Sequence, residues 1–298
     1  MGNLSWLHYL SYISFLVFIF GILTKVIKYV RMPIHLRWEL YPIPHEKKDG
    51  SYFEEIDWWK KPRRKHYLNQ IVFMAQEILF IRALYHHNRK MWYASFPFHF
   101  GLYLVIAWLA LLVGGALLKI FGGASGLAEA LQSVAVVVGV TGMILGTIGC
   151  VGLLIMRATT SDLKGYTAPT DYFNILFILA VLASGIIAWG SADPHFSVVQ
   201  EYIRGLITFS AAVTPSKTIA WYITLFSLFL IYLPFTHMTH FFMKYFMWDK
   251  VRFEDEPNLR GSIIESKIAK VLNYTQNWSA PHIQAGTKWS ETASKGVK

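Results

Sequence analysis

Long apolar runs alternate with shorter polar stretches along the 298 residues of the chain. A membrane-spanning helix needs about 20 mostly apolar residues, and five of the runs are long enough. None of the five carries an acidic residue inside its apolar stretch. The pattern predicts an all-α integral membrane protein, a five-helix bundle with spans at 6–29, 94–118, 131–156, 172–189 and 219–243.

The polar segment between the first two spans is predicted to have two parts. Residues 31–66 contain four prolines, which favours extended and turn-rich structure. Residues 67–92 carry apolar side chains at helical spacing together with basic ones, which predicts a helix lying along the membrane interface. Pro97 stands where the helix of the second span could begin, because a proline at the first helical position loses no hydrogen bond.

This pattern divides the chain into four segments. The first span is interpreted as retained rather than as a cleaved signal peptide, because basic residues follow it and it has no small-residue cleavage site. The connection at 190–218 is long enough to hold a short helix. The segments are a first transmembrane helix (1–30), a loop with an interfacial helix (31–92), a four-helix transmembrane core (93–246) and a C-terminal tail (247–298).

Composition and charge fit a protein of the cytoplasmic (inner) membrane. The chain is 54% hydrophobic and 15% charged, whereas soluble domains average about 25% charged. Of its 28 Lys and Arg residues, only Lys119, Arg204 and Lys217 fall on one side of the predicted spans. The positive-inside rule therefore predicts an outer N-terminus and a cytoplasmic C-terminus, with the interfacial helix on the cytoplasmic side. Membrane orientation explains the net charge of +10 without a nucleic-acid partner.

Two histidines are predicted to lie at the same depth in the membrane. His99 comes about five residues after the start of the second span, and His240 comes a similar distance before the end of the fifth. Since these spans run in opposite directions, both rings are expected roughly 7–10 Å below the cytoplasmic boundary. One imidazole on each side of the iron is the arrangement that a b-type haem needs. Interhelical hydrogen bonding by the two rings is the alternative.

Further residues are placed by the same helical geometry. His237 would lie one turn deeper than His240, about 60° around a continuous helix. The third span carries a strip of glycines that lets either another helix or a porphyrin approach its backbone, and close helix packing is the favoured interpretation. The same two interpretations, close helix packing and approach of a porphyrin, apply to Gly101 on the second span. The strip is Gly139, Gly142, Gly146 and Gly149.

Two motifs carry a resemblance to a known family. "FHFG" at 98–101, and "LPFTHMTHFF" at 233–242 followed by a basic tail, resemble the gamma subunit of respiratory nitrate reductase. They resemble even more closely the membrane cytochrome b subunits of heterodisulfide-reductase-like and sulfite-reduction-associated complexes. The resemblance covers about 80–245. It implies a five-helix bundle with b haems between its second and fifth spans, in a subunit that exchanges electrons with quinol.

The resemblance also implies which residues hold the haem. His99 and His240 match the axial ligands of the inner haem, whereas His237 could bond a propionate or a neighbouring backbone group. The positions of the outer ligands are Leu109 and Tyr222 in this chain. The outer haem is therefore expected to be absent or ligated differently.

An alternative outer pair is available. His8 and His195 both lie near the outer face, and they are the candidates for a differently ligated outer haem. If only the inner haem exists, quinone is expected to bind near it rather than on the outer side.

These observations predict an electron-transfer subunit of an anaerobic respiratory complex. Its cofactor would be haem b, its small-molecule substrate menaquinone, and its further partners the other subunits of the complex. Cys150 is the single cysteine, so the chain alone cannot ligate an iron–sulfur cluster. A cytoplasmic iron–sulfur subunit of heterodisulfide-reductase-like type is expected to provide that relay. The alternative is a non-redox membrane anchor whose histidines only pack.

Overall fold

The computed structural model describes residues 4–34, 56–61, 67–123, 125–211, 213–249 and 256–295. These residues form helices and turns, with two isolated β-bridges and no strand among them. The α-helices are α1 (Trp6–Val30), α2 (Tyr67–Phe80), α3 (Arg82–His87), α4 (Arg89–Ile120), α5 (Ser125–Thr159), α6 (Ser161–Lys164), α7 (Pro169–Ala192), α8 (Ser197–Ile207), α9 (Lys217–Tyr232), α10 (His240–Met243), α11 (Ile263–Leu272) and α12 (Trp289–Ser294).

The prediction of an all-α fold with five spans is confirmed. Five helical segments of the described chain are long and apolar enough to cross a membrane, and they correspond to α1, α4, α5, α7 and α9. The short helix expected in the connection at 190–218 is α8. Most of the proline-rich stretch at 31–66 lies outside the described residues, so its turn-rich character stays a prediction.

The chain divides into two compact units. The first unit comprises Met1–Ile22 and Ala75–Met238, and the second comprises Leu23–Met74 and Thr239–Lys298. In the first unit, α5 packs against α4 and α7, α7 packs against α9, and α8 lies on α4. The N-terminal half of α1 is tied to α8, because the Tyr12 hydroxyl donates to the Leu206 carbonyl at 2.9 Å. The buried core of this unit lies between these helices.

The glycine strip of α5 is used for helix packing. A Cβ on Gly149 would lie inside contact distance of the Phe98 backbone, and one on Gly101 would meet the α5 backbone at Gly142 and Gly146. A Cβ on Gly146 would in addition meet Leu182 of α7 at 2.7 Å. The strip therefore lets α4 and α7 approach α5 closely, which confirms the helix-packing interpretation over the porphyrin one.

The helix of the second span begins earlier than predicted. It starts at Arg89, where the Asn88 side chain accepts a hydrogen bond from the Met91 amide at 3.1 Å, so Pro97 lies inside the helix rather than at its first position. The predicted helix over 67–92 is also interrupted at Ile81, whose φ of 51° is left-handed. A β-branched residue rarely adopts this conformation. The left-handed turn at Ile81 ends α2, so the segment is divided into α2, α3 and the first turn of α4.

The fifth span is shorter than predicted and is not one continuous helix. Helix α9 ends at Tyr232, and 3₁₀ turns follow at Leu233–Phe235 and His237–Thr239. Pro234 has no N–H to donate to the carbonyl four residues earlier. Thr236 between the turns is extended, and its hydroxyl accepts from the Met238 amide at 3.2 Å. The fifth span is therefore present where it was predicted, but the prediction of one continuous helix over 219–243 was too long, because the apolar helical segment ends at Phe235.

In the second unit, the C-terminal end of α1 and the tail each make their own contacts. The Lys25 ammonium donates to the buried Thr239 hydroxyl at 3.0 Å, and the rings of Tyr29 and Phe246 stack with centroids 6.2 Å apart. In the tail, α11 is capped by Ser262, whose hydroxyl accepts from the Glu265 amide at 3.1 Å. The described part of the tail is thus folded around two short helices, α11 and α12.

Candidate functional site

The ring of His99 is oriented by its own helix. Its Nδ1 lies 2.8 Å from the carbonyl oxygen of Ser95, one turn earlier in α4, and 3.2 Å from the hydroxyl of the same residue. A carbonyl oxygen only accepts, so Nδ1 carries the proton and Nε2 carries the lone pair. Metal-ligating histidines commonly have one ring nitrogen fixed in this way. His99 therefore fits the role of an axial haem ligand.

His240 lies in a different local environment from the predicted one. It is the first residue of α10 and it is exposed, whereas Thr239 just before it is fully buried. The helical projection that placed His237 about 60° from His240 was wrong, because a 3₁₀ turn separates the two residues. His99 belongs to the first unit and His240 to the second, so their pairing across a haem stays a prediction.

His237 contacts a carboxylate that sequence reasoning missed. Its Nε2 lies 3.4 Å from Oδ1 of Asp171, in the first turn of α7, and Oδ2 of the same carboxylate lies 3.7 Å from Arg157 Nη1. Asp171 also accepts from the Ala168 amide at 2.9 Å. A carboxylate shortly after Pro169 is a helix-start signal, but nothing in the sequence links it to a histidine 66 residues later. His237 has a carboxylate partner and remains 66% exposed.

Aromatic side chains pack together around Trp108 in the first unit. Trp108, next to Leu109 on α4, is 1% exposed and packs on Phe196 and Tyr222 with ring centroids 5.0 and 6.4 Å away. The Tyr222 ring in turn lies close enough to Gly185 that an added Cβ there would sit 3.0 Å from it. The resemblance places the outer-haem ligands at Leu109 and Tyr222, and these rings pack closely there, so the absence of an outer haem stays a prediction.

The two histidines considered as an alternative outer pair have separate environments. The ring of His8 is 2% exposed, lies 2.8 Å through Nδ1 from the Ser5 hydroxyl, and packs on Tyr202 at 4.8 Å. His195 is exposed in the turn before α8, and its carbonyl accepts from the Gln132 side chain. The described residues show no contact between the two imidazole rings. Ligation of an outer haem by this pair stays a prediction without structural support.

Metal centres other than a haem need larger groups of protein ligands. Over the part of the chain that the structure describes, no group of three or more His, Cys, Asp or Glu side chains is arranged to hold a metal ion. A bis-imidazole haem uses only two protein ligands, so this finding bears on other kinds of metal centre.

The fold and these residues define a multi-pass helical membrane protein with a candidate haem ligand at one end of its core. Comparison with known protein families identifies the family of this membrane protein. Residues 83–251, more than half of the chain, match the family model described as nitrate reductase gamma subunit. The chain belongs to that family, whose members are membrane cytochrome b subunits of respiratory complexes. No curated protein and no solved structure matches the chain significantly.

Proposed function

We propose that this chain is a b-type cytochrome subunit that transfers electrons between membrane menaquinone and a cytoplasmic iron–sulfur partner. The observation that carries the proposal is the Nδ1 hydrogen bond of His99, which prepares Nε2 to ligate a metal in a chain of this family. A haem b bound there would supply one-electron redox chemistry. The chain's own residues would hold it, orient it and exclude water from it.

The proposed axial ligands are His99 and His240, one from each end of the family match. His237 would act beside the haem rather than on its iron, since its Nε2 is paired with Asp171. One haem per chain is expected, because buried Trp108 and Tyr222 pack against each other at the outer level.

A redox partner is required by the chemistry of the chain. Its single cysteine, Cys150, is fully buried among the helices, so no cluster can be ligated by thiolates of this chain. We expect a cytoplasmic iron–sulfur subunit of the heterodisulfide-reductase-like type. Docking would use the basic surface that the inner-membrane topology places on the cytoplasmic side.

The ligand assignment is tested by haem content. Replacing His99 or His240 by Ala is expected to abolish the low-spin bis-imidazole spectrum of the purified complex, because each variant removes one axial ligand. His282→Ala is the matched control, since this ring is exposed in the tail and should be dispensable. Haem per chain is measured by the pyridine haemochrome method.

The possible outcomes test the proposed function and the assignment of the two axial ligands separately. If the wild-type complex contains no haem, the chain is a non-redox anchor and the proposed function is wrong. If the wild type contains haem and both variants keep a bis-imidazole spectrum, the function stands and the two ligands are wrongly assigned.

A further inference from the structure

We propose that a pocket at the start of α4 binds the ring of the quinone; this inference rests on the proposed function and gives it a substrate site. The pocket has a volume of about 360 Å³. Its wall comes from the end of α2, from α3 and from the first turn of α4, all within the first unit. The lining residues are Gln76, Phe80, Arg82, Tyr85 and Trp92.

The pocket is held open by hydrogen bonds between its walls. The Trp92 indole N–H donates to the Phe80 carbonyl at 2.8 Å, which ties α4 to the end of α2. The buried Glu77 carboxylate accepts from the Ala83 amide at 2.8 Å, and this contact stabilises the left-handed turn at Ile81. The turn separates α2 from α3, and residues of both helices line the pocket. A strained β-branched residue is often retained where a site needs it.

The aromatic side chains of the pocket favour a flat ligand. The rings of Trp92 and Phe96 are nearly parallel, 4.7 Å apart at an angle of 13°, and Phe96 and Phe100 continue the stack at 5.6 Å and 14°. Phe80 is also nearly parallel to Phe96, at 6.5 Å and 15°. Phe80, Tyr85 and Trp92 are the rings that line the pocket itself, and a flat quinone ring can pack against these aromatic walls.

One edge of the pocket is polar. The Arg82 guanidinium donates to the Gln76 side-chain oxygen at 2.6 Å, so the Gln76 amide must direct its N–H₂ group, a pure donor, away from that contact. Tyr85 contributes its ring, over which the Arg89 guanidinium lies at 4.2 Å. A quinone has two carbonyl oxygens that accept hydrogen bonds, and donors on one edge suit such a ligand. An acyl chain would leave these polar groups unused.

Size and position also fit a quinone. Ligand pockets usually measure about 300–1,000 Å³, so a ring fits this one but a long isoprenoid tail does not. The tail can follow the stack from Trp92 to Phe100, which is 39% exposed and lies deeper along the second span. Trp92 and His99 are seven residues apart in α4, or about 10 Å along the helix axis. A bound quinone would therefore lie near the haem that His99 ligates.

Photolabelling tests the site without relying on haem. Membranes containing the full complex are illuminated with an azido-naphthoquinone, and the modified peptides are mapped by mass spectrometry. We expect labelling within 76–92, competed by excess menadione. Trp92→Leu and Gln76→Leu should each lower it by about two- to tenfold, the effect of losing one stacking or hydrogen-bonding contact of ordinary strength. Trp221→Leu is the matched control, because that indole is 67% exposed on α9.

Haem reduction by menadiol is measured on the same samples. In the two pocket variants the haem spectrum should be retained while reduction by menadiol slows by a similar factor. Labelling that maps outside 76–92, that menadione does not compete, or that both variants keep at the wild-type level overturns the pocket assignment. A complex without haem that is still labelled in the pocket overturns the proposed function and leaves the quinone site in place. If Trp92→Leu does not accumulate, Gln76→Leu decides alone.

Discussion

At the scale of single residues, His99 and His237 differ in their partners. His99 donates through Nδ1 to a backbone carbonyl, which leaves Nε2 with the lone pair that a ligand needs. His237 instead presents Nε2 to the Asp171 carboxylate. The sequence placed both rings near a haem but could not separate their roles, because hydrogen-bond partners depend on side-chain orientation rather than on spacing.

A second residue-scale feature is the carboxylate of Glu201 on α8. Burial raises its pKa, but hydrogen bonds from Arg204 at 2.7 Å and Lys119 at 3.0 Å outweigh that effect, and the net pKa is lowered. A carboxyl with a lowered pKa in the folded state stabilises the fold above its unfolded pKa of about 4.3. This stabilisation is lost as the pH falls below that value and through the lowered one.

We therefore expect Glu201→Gln to flatten the acid limb of the stability profile. The midpoint of thermal unfolding of the purified protein is measured from pH 7 downward. Relative to wild type, the variant should lose stability at neutral pH and approach the wild-type midpoint in acid. Glu129→Gln is the control, since Glu129 is exposed and makes no ion pair among the described residues. Parallel profiles for wild type and Glu201→Gln would contradict this account.

At the scale of helices, apolar patterning predicted all five spans but not their ends. Pro97 and Pro234 show why. Pro97 is accommodated inside α4, which Asn88 caps eight residues earlier than expected. Pro234 coincides with the end of α9, because an extended Thr236 follows and its hydroxyl accepts the next free amide. A proline removes one hydrogen bond in either case, so the neighbouring caps decide whether the helix continues.

Close packing between α4 and α5 gives an element-scale prediction. Gly149→Ala would place a Cβ against the Phe98 backbone, which cannot move as a flexible side chain can. Overpacking of this kind costs about 1–3 kcal/mol. We expect a lower midpoint of thermal unfolding and partial loss of haem, because Phe98 precedes the proposed ligand.

The matched control for this change is Gly126→Ala, at the start of the same helix. Among the described residues, a Cβ there meets nothing within 4 Å, and alanine is the better helix former by about 1 kcal/mol. Its midpoint should therefore be unchanged or slightly higher. Equal destabilisation by both substitutions would show that the helix backbone, rather than the contact with α4, is the cause.

At the scale of the whole molecule, the distribution of charge predicts the orientation in the membrane, which the packing of the helices does not. The membrane imposes an inside and an outside, and 25 of the 28 Lys and Arg residues lie on the side assigned to the cytoplasm. The two proposed haem ligands belong to separate compact units. Their assignment as a pair therefore rests on the sequence motifs and not on the fold of either unit. The quinone pocket lies on the cytoplasmic side of the core if this orientation is correct.

The orientation is tested by cysteine labelling. Cys150 is fully buried, so the native chain is expected to give little background with a membrane-impermeant maleimide. Thr208→Cys introduces an exposed thiol in the connection assigned to the outer face, and Ser161→Cys introduces one in the connection assigned to the cytoplasm. In intact cells only Thr208→Cys should be labelled, and in inverted vesicles only Ser161→Cys. The opposite result would reverse the topology and move both the haem ligands and the quinone pocket to the outer face.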